Sequence, residues 1–193
     1  IAHAVVANST HTLGEFERFV RSRGLRMPPA TVARLGPGLP TAPPGPRPLA
    51  QPYFVVLGTI EPRKNHAMLL HLWRRLAERH GERAPRLAVI GHRGWECEHV
   101  ADLLERCLPL RGVVVELPDC DDAQAVTWLA HAQAVLYPSF VEGYGLPLLE
   151  ALVHGVPAIA SDLEVFREVA CDVRCTTVLS ASSFSSARRR PAG

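Results

Sequence analysis

Short, near-continuous apolar runs recur along the chain at 53–58 (YFVVLG), 86–91 (RLAVIG), 112–117 (GVVVEL), 134–139 (AVLYPS) and 156–161 (VPAIAS). Between them lie stretches in which apolar positions return every three or four residues. Runs of that length, rich in Val, Ile and Leu, predict strands buried on both faces, and the intervening spacing predicts amphipathic helices over 65–81, about 98–108, 122–131, from Pro147 onward, and 163–169. Strands alternating with helices imply an α/β fold with a doubly wound, Rossmann-like parallel sheet. Ahead of this series, 4–7 reads as a buried strand and Asn8-Ser9-Thr10 supplies capping oxygens. Leu13, Phe16, Phe19 and Val20 then mark a helix over 13–23 closed by Gly24, and a short strand follows near 31–35.

The segment 36–52, GPGLPTAPPGPRPLAQP, is too dense in proline and glycine for helix or strand and reads as a linker or hinge. After about residue 170 the alternation gives way to a Ser-, Ala- and Arg-rich tail expected to lack order. The expected organisation is therefore 1–35 as a partial unit, 36–52 as a linker, 53–170 as the α/β domain and 171–193 as an atypical tail.

Composition narrows the function. Hydrophobic residues make up 47% of the 193, yet none of the runs approaches the roughly 18 apolar residues of a membrane span, and the N-terminus lacks the basic-then-apolar order of a signal peptide. A cytoplasmic location is the resulting expectation. A net charge of +2 is too small to imply a nucleic-acid partner, and Ala187-Arg188-Arg189-Arg190 reads as a solvated tail. Five cysteines without a C-x-x-C pair fit reduced thiols. His92, Cys97, His99 and Cys107 match no standard zinc spacing, so no metal site is expected. The chain opens at Ile1, inside an apolar run, which leads us to expect a fragment of a longer protein.

In an open α/β sheet the ligand crevice lies beyond the carboxyl ends of the strands. The first such loop of the regular series, Gly58-Thr59-Ile60-Glu61-Pro62-Arg63-Lys64-Asn65, places two cations just ahead of a helix that Asn65 is expected to cap. Cations oppose the dipole at a helix start, so an anion between them and the helix makes better sense of the loop. His66 lies close enough to be kept as a candidate. A nicotinamide cofactor is disfavoured, because no G-x-G-x-x-G turn follows the strand.

The loop after the fourth run reads Glu142-Gly143-Tyr144-Gly145-Leu146-Pro147-Leu148-Leu149-Glu150. Proline has no N–H to waste as the first helical residue, and the preceding amides at 143–146 are donors in need of an acceptor. Gly143 and Gly145 let a ligand approach the backbone, and a helix N-terminus favours a phosphate. Glu150, one turn into the helix, leans back toward the same mouth while Glu142 stands on the other side. Carboxylates beside phosphate are tolerated when they face hydroxyls, so the pattern fits phosphates flanked by polyhydroxyl groups, as in a nucleotide sugar.

Together, FVVLGTIEPRKNHAMLL and YPSFVEGYGLPLLEALVHGVPAIAS resemble the C-terminal, donor-binding domain of retaining GT-B-fold glycosyltransferases, the group 1 family that includes mannosyl- and glucosyltransferases. The resemblance covers 53 to about 169, and 1–35 resembles the end of an N-terminal acceptor domain. It implies that Glu142 contacts the transferred sugar and Glu150 the ribose. Arg63 and Lys64 would neutralise a UDP- or GDP-type diphosphate without a metal, with Gly58, Thr59, Gly143, Tyr144, Gly145 and Leu146 completing the donor site. A glycan or lipid-linked acceptor, and peripheral membrane association through the rest of the N-terminal domain, belong to the same expectation. Many family members carry arginine after the strand-end glycine where this chain has Thr59, which shifts that work to Arg63. The other reading is a non-catalytic nucleotide-binding remnant.

Overall fold

The computed structural model describes residues 3–172 and 178–180. A first small unit comprises strand β1 (Val5–Ala7), helix α1 (Thr10–Ser22) and strand β2 (Ala30–Val32), with the two strands parallel. Ser9 caps α1 by accepting from the Thr12 amide at 3.0 Å, as the Asn-Ser-Thr signal predicts.

The main domain follows as β3 (Tyr53–Leu57), α2 (His66–His80), β4 (Arg86–Ile90), α3 (Glu98–Arg106), β5 (Val114–Leu117), α4 (Asp122–Ala130), β6 (Val135–Tyr137), α5 (Leu146–Val153), β7 (Ala158–Ala160), α6 (Glu164–Asp172) and β8 (Val178–Ser180). All pairings are parallel, in the order β5-β4-β3-β6-β7-β8, so the expected doubly wound α/β architecture is the one observed. Within the stretch read as a tail, Cys171 and Asp172 complete α6 and Val178–Ser180 form β8; the other tail residues lie outside those described.

Alternate strand residues feed two cores. Tyr53 and Val55 of β3 face one core with Leu129, Leu148, Leu152 and Phe166, contributed by α4, α5 and α6. Phe54 and Val56 face the other, with Leu69, Leu70, Trp73 and Val100 from α2 and α3. Side chains buried on both faces explain why the strands read as continuous apolar runs.

Winding outward from β3 to β5 and then from β6 to β8 makes β3 and β6 neighbours at the point where direction reverses. Loops leaving these two strands diverge and open a crevice between them. Both motifs singled out in the sequence leave from these strands.

The segment 36–52 has no regular secondary structure, yet it is pinned along the main domain. The Gly45 amide donates to Thr127 Oγ1 at 2.9 Å, and the Gly45 carbonyl lies 3.0 Å from His131 Nε2. Arg47 sits 6.0 Å from the centre of the Tyr53 ring, and Leu39 and Leu49 pack on the first core. The linker is thus a strap laid over the domain rather than a free span.

Candidate functional site

Beyond β3 the chain turns at Gly58, whose φ of +125° suits glycine, and enters a 3-10 turn over Pro62–Lys64 before α2 begins at His66. The Lys64 ammonium folds back into the space a Gly58 Cβ would fill, so that glycine is what admits the cation to the strand end. Asn65 adopts a left-handed conformation (φ 58°) and its side chain makes no capping bond, contrary to expectation. Its Nδ2 instead donates to the Pro138 carbonyl at 3.3 Å, and the Phe140 amide donates to the Arg63 carbonyl at 2.8 Å. These bonds lash the β3–α2 loop to the loop after β6 and close one side of the crevice.

Across it, α5 starts at Leu146 rather than Pro147, which takes the second helical position; Gly145 is the N-cap with φ +98°. A Cβ on Gly145 would stand 2.7 Å from Phe166 Cε1, so both backbone angle and packing demand glycine. The carbonyl of Gly143 accepts from the hydroxyls of Thr12 (2.8 Å) and Ser9 (3.3 Å) at the start of α1. Tyr144 is buried and donates its hydroxyl to the Leu35 carbonyl at 2.8 Å. The motif is therefore held by groups from the first 35 residues.

The charged groups form one cluster. The Arg63 guanidinium pairs with Glu142 and, at 2.6 Å, with Glu61 Oε1. Ser139 Oγ donates to Glu142 Oε1 at 2.9 Å, and the Glu142 side chain is only 6% exposed. Burial pulls against the Arg63 charge, but the Glu142 and Glu61 carboxylates outweigh it and raise its pKa. Burial first, and then the facing Glu142 carboxylate, push the Tyr137 hydroxyl far above its usual range.

Lys64 is 8% exposed, with its nearest carboxylate oxygen, Glu61 Oε1, 4.0 Å away. Burial lowers its pKa; Glu142 opposes the shift, Arg63 adds to it and Glu61 opposes it. The cation is thus held dry, with only partial compensation from the carboxylates around it. His66 is buried, neither ring nitrogen has a hydrogen-bond partner among the described residues, and burial followed by the Lys64 charge depresses its pKa to about 4. It stands there as a neutral ring.

Glu150 is buried and faces the strap. The Gly38 and Leu39 amides support its carboxylate, although burial dominates and raises its pKa. The structure brings Lys64 against Gly58 and Arg63 against Glu142, which leads into the 143–146 turn, whereas Glu150 meets the strap and Thr59 is exposed. Glu61, Ser139 and Tyr137, which tie the cluster together, were not singled out in the sequence. Their only signal was proximity to the cations and to Glu142.

Comparison with known proteins supplies the family and the fold. The family model described as "Glycosyl transferases group 1" matches residues 43–186. The chain is 38% identical over 122 residues to the O-antigen chain mannosyltransferase B of Escherichia coli, covering 63% of this chain and 32% of that protein. It is 33% identical over 125 residues to the serotype-specific mannosyltransferase WbdA of Escherichia coli, covering 63% and 15%. The chain thus spans a third or less of these relatives. Among solved structures, WaaG, a glycosyltransferase involved in lipopolysaccharide biosynthesis, superposes with a TM-score of 0.67 at 19% identity, over 91% of this chain and 49% of that one. The pneumococcal O-GlcNAc transferase GtfA in complex with UDP and GlcNAc gives 0.62 at 14% identity, over 84% and 30%.

Proposed function

We propose, because the chain belongs to the glycosyl transferases group 1 family, that it supplies the donor-binding half of a retaining, metal-independent hexosyltransferase. The reading extends to transfer of a mannosyl-type hexose from a GDP- or UDP-type sugar to a glycan or lipid-linked acceptor. The observation that carries it is the pairing of Arg63, next to dry Lys64, with Glu142 just ahead of the turn into α5, at the sheet's reversal point. The names of the Escherichia coli mannosyltransferases support the choice of hexose.

In this mechanism the diphosphate lies against Lys64, Arg63 and the α5 amides. Negative charge grows on it as the bond to the anomeric carbon breaks, and fixed positive groups stabilise that charge without reorganising. Glu142 starts out paired with Arg63. A diphosphate competes for that guanidinium and releases the carboxylate toward the sugar hydroxyls. Arg63 would thereby change partners as the donor settles.

The test is thermal unfolding of the chain with GDP, UDP and ADP at millimolar concentration. Binding to the folded state alone adds about 3 kcal/mol of stability when ligand stands near a hundred times Kd, and Tm rises with it. Absence of a shift with all three would remove the donor-site reading. Among the described residues no helix is long and apolar enough to cross a membrane, so association with a lipid-linked acceptor would be peripheral at this part of the protein.

A further inference from the structure

Trp95 is left outside both cores. Its side chain is 59% exposed, whereas Trp73 is buried and Trp128 packs edge-on against Tyr53 with ring centres 5.1 Å apart. It is nonetheless fixed. The Ile60 amide donates to the His92 carbonyl at 2.9 Å and the Gly94 amide to the Ile60 carbonyl at 3.0 Å, so the loops after β3 and β4 continue the sheet's pairing beyond the strands. Gly94 permits the close approach: a Cβ there would lie 2.7 Å from Thr59 Cγ2. The indole Nε1 then donates to Glu61 Oε2 at 3.1 Å.

Glu61, with its side chain 10% exposed, is the link to the chemistry. Its other oxygen receives Arg63 Nη2 at 2.6 Å, and Arg63 in turn pairs with Glu142. One buried carboxylate therefore orients an exposed aromatic face and a site cation together. This face is joined through Glu61 and Arg63 to the Glu142 flank, whereas Glu150 faces the strap. Phe140 and Val141, just before Glu142, are also exposed on this flank.

An indole face is electron-rich, and a pyranose presents a patch of slightly positive C–H bonds bordered by hydroxyls. The charged neighbours Glu61, Arg63 and Arg93, the last bound to Glu116 and Glu105, suit a hydroxylated ring better than an apolar helix. We propose that Trp95, oriented by Glu61, is a stacking platform for a pyranose of the glycan acceptor. This rests on the donor-mouth reading above, because it takes the Glu142 flank as the sugar side.

The experiment uses the full chain, with a mannose trisaccharide as probe. Saturation-transfer NMR should detect binding, and tryptophan emission should shift to the blue as the sugar covers Trp95. Trp95→Ala should abolish the emission response and weaken binding by about tenfold or more, while the GDP- or UDP-induced rise in Tm is unchanged. Trisaccharide binding by Trp95→Ala at wild-type strength overturns the proposal. So does a nucleoside diphosphate, rather than the sugar, quenching Trp95, which would make the ring a base platform. No saturation transfer to the trisaccharide while a nucleotide still raises Tm also refutes the platform alone. Loss of the nucleotide effect as well refutes the donor mouth on which it rests.

Discussion

Replacing Lys64 with methionine should separate binding from folding. The ammonium is 8% exposed and its nearest carboxylate oxygen is 4.0 Å distant. At that separation two unit charges attract by about 4 kcal/mol for an effective dielectric near 20. The loss of water costs each ion several kcal/mol, a term of the same size. Arg63 adds repulsion, and the lowered pKa shows that burial prevails. Methionine has a similar length and no charge, so the folding stability of Lys64→Met at neutral pH should stay within about 1 kcal/mol of wild type, or exceed it. A phosphate changes the balance. A hydrogen bond to a charged group contributes about 1.5–3 kcal/mol, so GDP or UDP affinity should fall by about tenfold to about a hundredfold. Denaturant unfolding and titration calorimetry measure the two sides. The sign with pH provides a second check. Just below the ordinary lysine value of 10.5 the unfolded chain holds the proton that folded Lys64 has released, so wild-type stability rises with pH there, and Lys64→Met lacks that rise. A loss of about 3 kcal/mol of stability with nucleotide affinity unchanged would refute the reasoning and make Lys64 a structural counter-ion.

Other substitutions probe separate parts. Glu142→Gln frees Arg63 from a competing carboxylate, so calorimetry should show nucleotide affinity held or raised while Tm falls; a loss of affinity beyond about tenfold contradicts the exchange. Gly145→Ala meets both a φ of +98° and the Phe166 ring, and chemical unfolding should show a loss of about 2–5 kcal/mol. Glu150→Ala removes the group that supports the Gly38 and Leu39 amides, whose hydrogen exchange should quicken; unchanged protection would mean the strap holds itself. His66 has a folded pKa near 4 against 6.5 when unfolded, so the unfolded chain binds more protons between these values and stability falls on acidification, by up to about 3 kcal/mol. His66→Leu should flatten that slope in unfolding curves taken at successive pH values.

The doubly wound parallel sheet was legible because each strand is buried on both faces and each helix on one, which writes two different periods into the apolar positions. The loops around Gly58 and Gly145 stood out for a related reason, since both glycines hold positive φ and admit close neighbours, Lys64 and Phe166. What pattern could not convey were contacts between loops distant in sequence. Asn65 looked like a helix cap, yet tertiary context turned its amide to Pro138. Glu61 carried no signal of its own, although Arg63 in its own loop and Trp95 in the loop after β4 both bind it. The segment 36–52 announced irregularity through its prolines, but its docking depends on Glu150, Thr127 and His131, far along the chain.

The most direct test of the donor mouth is amide NMR of the labelled chain titrated with GDP and UDP. Shifts concentrated at Gly143, Tyr144, Gly145 and Leu146 and at the Arg63–Lys64 turn, lost in Lys64→Met, are the expected result. A nucleotide that leaves these amides unmoved, or that perturbs another surface, would contradict it.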